Sequence, residues 1–548
     1  MKKLGKVITV LLVISLSVSL LVGFTTIALA KETKKTVEIT PLDWYPWLTE
    51  KTMLEIFNEH TTKADAWPWA FRYATALFII THPEVKINFE TEKQWPRGST
   101  PQEKLITAMA SGEAPSYYSL GVLTGTPETD IAEGYAADIT DLVDKWKFKD
   151  FLKENWWSVW QRAWKNGRCY ALPAVWYTGS DMIYRRDLFK AAGLFNEEGK
   201  PGPSINWTMD DFRTICQKLT DPKKQIWGFA MTGDVIKYSR SIKNFFDAFG
   251  VPRVIPDRSG KYTWRSALDI PEVQPLLKFW YDMVWKDKSV LVYPPGEPLY
   301  SGQETPNGRV AITYWLNSTA AQSRAINSTD LLAGPSFYHI KGTPEDMPFY
   351  KSCGPVPFPV GPEGIRLNLI TAGLMGFNPT LDKDQLKAAF EFYTWMWGGG
   401  EGYKILLEQT RIVSKHPEVA VQMMPYLYPY PGKPKKEVVP EWAKIEEIEK
   451  SFPTAPLPSA YNLVVNLQNS VLPLFDTIIH DPKVDLQKVA RETANRINKG
   501  VLNYKVKGQT VKNYKDYYTD LATFYKENFP EYYEKTFKNL FEKYYKVW

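Results

Sequence analysis

The sequence predicts an α/β protein with more than one domain, and three observations carry that prediction. Short apolar alternations that read as strands are interleaved with helical stripes, a pattern that builds mostly parallel sheets covered by helices. At 548 residues the chain exceeds what a single hydrophobic core organises. Its balance of 44% hydrophobic and 23% charged residues is that of an ordinary globular protein.

Met1 to Ala30 opens with Lys2, Lys3 and Lys6, runs through an apolar stretch from Val7 to Val22 and reaches Ala28-Leu29-Ala30. That is the layout of a secretory signal peptide cut after Ala30. The alternative is an uncleaved anchor, since about 20 apolar residues span a bilayer. No cysteine lies near the cut to take a lipid, so the mature chain is expected free in the periplasm or extracellular space.

Val37-Glu38-Ile39 alternates as a first strand and leads into the loop Leu42 to Trp47; Val85, Ile87 and Phe89 read as a second. Between them Met53, Leu54 and Phe57 begin a helical stripe, followed by an aromatic insert with Trp67, Trp69, Phe71 and Tyr73. Thr208 with Asp211, and Asp382 with Gln385, are spaced as capping boxes. The helices they open carry Phe212, Ile215 and Leu219, and Leu386, Ala389, Phe390, Tyr393 and Trp397, on their inward faces. Asp485 opens a further helix, with Leu486, Val489, Ala490, Ala494 and Ile497 inward. Trp156, Trp157, Trp160 and Trp164 recur at helical spacing and are expected in a core, as are Trp395 and Trp397. Prolines are densest at Gly354 to Pro359 and at Tyr426 to Pro434, which read as connections between domains. The tail from Asn503 to Trp548 mixes Lys and Glu with Tyr and Phe, as an amphipathic helical segment broken near Pro530.

Several function classes lack their signatures. The net charge is +6, or +3 once the three leader lysines are set aside, which gives no electrostatic case for nucleic acid. Cys169, Cys216 and Cys353 are odd in number, far apart and without a CxxC, so neither a disulfide framework nor a redox or metal site is indicated, although one pair remains open. The five histidines form no HExxH, and GxGxxG, GxxxxGK[ST] and GxSxG are absent. No cofactor is expected.

The chain is rich in rings, with 21 Trp, 31 Tyr and 27 Phe against 12 Met. Val310 to Trp315 reads as a short buried strand ending beside an aromatic pair, which sets a ring at a sheet edge and points to carbohydrate. A pyranose presents an apolar C–H face to aromatic rings and a belt of hydroxyls to planar polar groups.

A resemblance accompanies these readings. The segments SGEAPSYYSL (Ser111 to Leu120), AEGYAADITDL (Ala132 to Leu142), NGRCYALP (Asn166 to Pro173), MIYRRDLFKAAGL (Met182 to Leu194), NWTMDDF (Asn206 to Phe212), NGRVAITYW (Asn307 to Trp315) and GPVPFPVGPEG (Gly354 to Gly364) resemble, in order, the family 1 extracellular solute-binding proteins. These are the sugar-binding subunits of ABC importers. Two departures stand out: Pro115-Ser116 replaces a frequent Pro-Asp, and Tyr184-Arg185-Arg186 replaces a frequent Tyr-Asn-Lys.

The resemblance implies a two-lobed periplasmic-binding fold of class II, with discontinuous lobes joined by hinge crossings. Lobe 1 is expected over residues 31–175 and 373–412, lobe 2 over 176–372 and 413–502, and a C-terminal helical extension over 503–548. It further implies a monomer that performs no covalent chemistry, binds an oligosaccharide between its lobes and delivers it to ABC transporter permease subunits in the membrane. By matching loops, the expected ligand-binding residues are Trp176, Trp315, Tyr177, Trp44, Tyr45, Trp47, Asn317, Tyr461, Asp181 and Trp95. Each ring has packing within its own lobe as its alternative, and Asp181 can instead cap local backbone. Two other functions fit the composition. A secreted glycoside hydrolase needs two carboxylates across a cleft, and an oligopeptide-binding protein needs partners for peptide termini.

Overall fold

The computed structural model describes residues 36–41, 53–61, 66–89, 113–121, 127–174, 182–231, 244–257, 264–292, 309–314, 353–367, 373–413, 467–499 and 529–545, with scattered positions at 105–111, 428, 444–448 and 522–527. Val37–Ile39 (β1) and Val85–Ile87 (β2) pair in parallel, with Val37 opposite Val85. Phe89 lies beyond the end of β2. Met53–Thr61 (α1) and Ala66–Thr81 (α2) connect the two strands. The aromatic insert is α2 itself: Trp69 and Phe71 are buried, and Phe71 meets Trp397 with ring centres 4.8 Å apart.

Tyr117–Ser119 (β3) precedes Pro127–Ala132 (α3) and Lys149–Trp160 (α4). Trp156 and Trp160 are buried on α4, and the Trp160 indole donates to the Ala171 carbonyl at 2.9 Å. Trp164 departs from the expected helical face. A single 3-10 turn at Gln161–Ala163 ends the helix, and Trp164 begins the hairpin Trp164–Lys165 (β4) and Arg168–Cys169 (β5), followed by Ala171–Pro173 (β6).

The chain then enters a second sheet. Met182–Arg185 (β7) leads to Met209–Leu219 (α5), whose predicted capping box is present: the Asp211 amide donates to the Thr208 hydroxyl at 3.1 Å and the Thr208 amide to Asp211 at 2.8 Å. Trp227–Met231 (β8), the hairpin of Val254–Pro256 (β9) with Trp264–Ser266 (β10), Gln274–Tyr281 (α6), Val290–Val292 (β11), Val310–Tyr314 (β12) and Cys353–Val356 (β13) follow. The Pro-rich stretch after Cys353 was expected as a connection; its first residues instead form β13, an edge strand of the five-stranded order β11-β8-β12-β7-β13. Pro355 fits there because an edge strand leaves one side of its backbone without a ladder partner. A methyl at Gly354 or Gly202 would overlap the Tyr184 ring, so this corner closes only around glycine.

Leu374–Phe377 (β14) returns to the first sheet between β3 and β6, followed by Lys383–Trp397 (α7) and Glu401–Val413 (α8). The Asp382 and Gln385 box opens α7, with bonds of 2.8 and 3.1 Å. Leu467–His480 (α9) and Leu486–Lys499 (α10) belong to the second half, and the Lys488 amide donates to the Asp485 cap at 3.0 Å. Pro530 is the first residue of the last helical stretch, which ends in Lys538–Tyr545 (α11).

Among the described residues two large cores stand out. One gathers Ile39 to Leu172 with Leu374 to Leu407 and Tyr428; the other gathers Met182 to Leu367 with Val471 to Tyr544. The chain therefore passes between them after β6, before β14, and between Tyr428 and Val471. The tail is part of the second core, where Tyr525, Tyr532, Phe537, Leu540 and Tyr544 are buried. Neither main sheet is mostly parallel: the five-stranded one is mixed and the three-stranded β3-β14-β6 is antiparallel, because strands entering from the other half run against their neighbours, β14 against β3 and β6, β7 against β12 and β13.

Candidate functional site

In each sheet the strand ends define one edge. In the first, β1 runs parallel to β2 and, through the bridge between Pro41 and Tyr117, to β3. The carboxyl ends of β1, β2 and β3 therefore share an edge, and β14 begins there, since the Leu120 amide donates to the Leu374 carbonyl at 2.7 Å. Leu374 also pairs with Pro173, which brings the end of β6 to the same place. In the second sheet β8, β11 and β12 are parallel and finish together, while β7 begins at Met182 opposite Tyr314 and β13 ends at Val356 opposite Met182. Carboxyl edges of such sheets are where side chains on connecting segments converge without breaking the ladder.

The ten sequence-predicted residues all lie outside the described residues. The described ends nearest to them in the chain are informative nonetheless. Trp44, Tyr45 and Trp47 follow Pro41 after β1, and Trp95 follows β2. Trp176, Tyr177 and Asp181 separate β6 from β7, and Trp315 and Asn317 follow β12 directly. Nine of the ten thus belong to segments attached to those two edges; Tyr461 precedes α9 and attaches to neither.

The edge of the first sheet is built by long-range bonds that the sequence did not announce. Ser116, at the departure from the usual Pro-Asp, is buried; its hydroxyl accepts the Thr40 amide at 2.9 Å and its own amide donates to the Thr40 carbonyl at 2.7 Å. A serine hydroxyl thus joins the end of β1 to β3. At the other departure Arg185 is buried against Asp187, with its Nε 2.8 Å from Oδ1, and Arg186 donates to the Tyr184 hydroxyl at 3.0 Å. At the end of β6 the Pro173 carbonyl accepts the phenols of Tyr393 at 3.2 Å and Tyr428 at 3.4 Å. Burial pushes the Tyr428 phenol well above its ordinary range, so it stays a donor.

Beyond β3, the Gly121 amide donates to the carboxylate of Asp130 at 2.7 Å. Asp130 is fully buried, one of 61 acidic residues, and nothing in its sequence neighbourhood set it apart.

Other chemistry is poorly served. Cys169, Cys216 and Cys353 are free and buried, and burial pushes the thiols of Cys169 and Cys353 up to about 12. Among the described residues no group of His, Cys, Asp and Glu is arranged to hold a metal ion. No helix among them is long and apolar enough to cross a membrane. A groove of about 580 Å³ lies between the β9–β10 hairpin and α11, away from both edges. Its charges are matched within it, Arg265 to Asp269 at 2.8 Å and Lys543 to Glu272 at 4.0 Å, which leaves little to recognise a ligand.

Residues 70–398 match the bacterial extracellular solute-binding proteins, and the chain belongs to that family. No curated protein matches it. Solved structures similar to it include the GacH receptor of Streptomyces glaucescens, studied unliganded and with acarbose (16% identity, 86% of this chain and all of that one covered, TM-score 0.51). A solute-binding protein of Thermotoga lettingae bound to α-D-tagatose (16%, 85% and 99%, 0.50) and one of Agrobacterium radiobacter with ribitol (17%, 85% and 99%, 0.50) are also similar. At these identities the likeness establishes the fold: a two-lobed α/β binding-protein architecture.

Proposed function

We propose that this solute-binding protein captures a carbohydrate, specifically an oligosaccharide, between the two strand edges and delivers it to the permease of an ABC importer. The carrying observation is the attachment of the aromatic-rich segments to the carboxyl ends of strands in both halves, with the connection from β6 to β7 running from one edge to the other. In this reading Trp176 and Trp315 stack on sugar rings, Tyr177, Trp44, Tyr45, Trp47, Trp95 and Tyr461 add ring surface, and Asn317 and Asp181 bond hydroxyls. The polyhydroxylated ligands of the three similar proteins are of the same chemical kind. Lobe 1 comprises residues 31–175 and 373–428, beyond the boundary expected at 412 because Tyr428 packs in the first core, and lobe 2 comprises 176–372, 471–502 and the packed tail. The monomer is exported after cleavage following Ala30 and catalyses no reaction. The permease reads the closed, liganded state, whose population the ligand raises through its tighter binding to that state.

A thermal-shift panel of α- and β-linked oligosaccharides, with oligopeptides alongside, tests this. A ligand at 100 times its dissociation constant stabilises the fold by about 2.7 kcal/mol. Stabilisation by peptides alone, or release of smaller sugars during incubation, would replace the proposal by a peptide-binding or a hydrolytic one.

A further inference from the structure

We propose that Asn166 is a site of spontaneous covalent modification, its carboxamide closing onto the Gly167 amide and hydrolysing to a carboxylate. Asn166 and Gly167 form the two-residue loop of the β4–β5 hairpin, in which Lys165 pairs with Arg168 and Trp164 with Cys169. Their φ angles are 52° and 74°, the left-handed conformation that such a loop demands and that favours Asn-Gly.

The turn leaves both reacting groups free. Asn166 and Gly167 are exposed, so water and hydroxide reach them. No hydrogen bond to the described residues holds the Asn166 carboxamide or the Gly167 amide. Other asparagines differ: the carboxamide of Asn155 donates to the Phe151 carbonyl at 2.9 Å, and those of Asn378 and Asn498 accept the Thr380 amide at 3.0 Å and the Ser266 amide at 2.7 Å. A Cβ added at Gly167 would meet nothing within 4 Å, so no packed neighbour obstructs ring closure.

The Gly167 nitrogen, once deprotonated by hydroxide, attacks the carbonyl carbon of the Asn166 side chain. A C–N bond forms, the side-chain nitrogen takes up a proton and leaves as ammonia, and a five-membered cyclic imide remains. Water then adds to one of its two carbonyls. Cleavage of the new bond restores the ordinary main chain with an aspartyl side chain, whereas cleavage of the original peptide bond routes the chain through the side-chain carbon as an isoaspartyl residue. In either case one carboxamide and one water become a carboxylate and ammonium, with no oxidant, reductant or co-reactant besides water.

The new carboxylate stands beside Lys165 and Arg168, and the Arg168 guanidinium already donates to Asp138. Asp138 also accepts the Thr140 amide at 3.0 Å, and the Thr140 hydroxyl accepts the Cys169 amide at 2.9 Å, so the added charge competes for an ion pair that ties the hairpin to its lobe. The isoaspartyl form further adds a main-chain methylene to a loop whose length sets the register of Trp164 against Cys169.

The experiment is incubation of the folded chain at mildly alkaline pH beside a sample in denaturant, followed by chymotryptic digestion and mass spectrometry. The peptide spanning 165–170 from the folded sample is expected to gain about 1 Da and to split into aspartyl and isoaspartyl species on chromatography. The chain's other Asn-Gly, Asn307-Gly308, lies outside the described residues and falls in a different peptide. Asn166→Gln should abolish the gain in the 165–170 peptide, because its longer side chain must close a less favourable six-membered ring. No gain in the folded sample overturns the inference, whether or not the denatured sample gains, since the hairpin then protects Asn166. A gain that survives Asn166→Gln overturns it as well.

Discussion

The Ala174 amide donates to the Gly373 carbonyl at 2.7 Å, joining the segment by which the chain leaves its first core to the one by which it returns. Both flank strands of the same sheet, β6 and β14. The described ends of these two connections are thereby held together on the first core.

That placement predicts closure on binding. Small-angle scattering of the mature chain with a saturating sugar should give a smaller radius of gyration than without it. An unchanged radius would remove hinge motion from the account.

The phenols of Tyr393 and Tyr428 meet at the Pro173 carbonyl, one residue before that bond. We predict that each Tyr→Phe change costs about 0.5 kcal/mol, the low end for a net hydrogen bond given the long separations. The double change should exceed the sum, because the last change leaves the carbonyl without either phenol. Denaturant unfolding of the single and double variants checks this, and strict additivity would argue against a shared acceptor.

In the proposed site, Trp176→Ala and Trp315→Ala are expected to weaken sugar binding by about 5- to 150-fold, a stacked ring contributing about 1–3 kcal/mol. The melting temperature should hardly change. A core tryptophan would behave oppositely, costing about 3–5 kcal/mol of stability.

Phe537 is completely buried among Tyr525, Tyr532 and the second core. Phe537→Ala is expected to cost about 3–5 kcal/mol, far more than a loosely attached extension would lose. Unfolding that leaves the main transition unmoved would detach the tail from the second core.

Acid should destabilise the protein through Asp282. Its burial alone would raise the carboxyl pKa, but the hydrogen bond from Lys278 at 2.6 Å and the ion pair with Lys286 at 2.7 Å outweigh this and hold it below the ordinary 3.8. A group depressed in the folded state stabilises above its unfolded pKa and loses that contribution as pH falls through the folded one. The loss therefore begins near about pH 4 and continues downward. Asp282→Asn should flatten this part of the stability curve. An unchanged acid limb would show that the network contributes nothing.

The sequence by itself determined what depends on neighbours within a turn or two. The boxes at Thr208 and Asp382 and the cap at Asp485 close bonds across three residues, and the stripes they open face the cores, with Ile215, Leu386, Leu486 and Val489 half-buried at their margins. The ordered motifs also determined the family and with it the two-lobed α/β fold. Helical spacing misled at Trp164, because one 3-10 turn suffices to end a helix and no local rule forbids a strand there. Only the tertiary structure decided that Met182 faces Tyr314, that Ser116 ties β1 to β3, that Asp130 holds Gly121 and that the tail fills the second core. These relations join residues through space, and the periodicity of each strand is the same whichever neighbour it pairs with. Strand order and buried polar partners emerge from the packing of the whole chain, where burial rewards one arrangement over others that the local pattern permits equally.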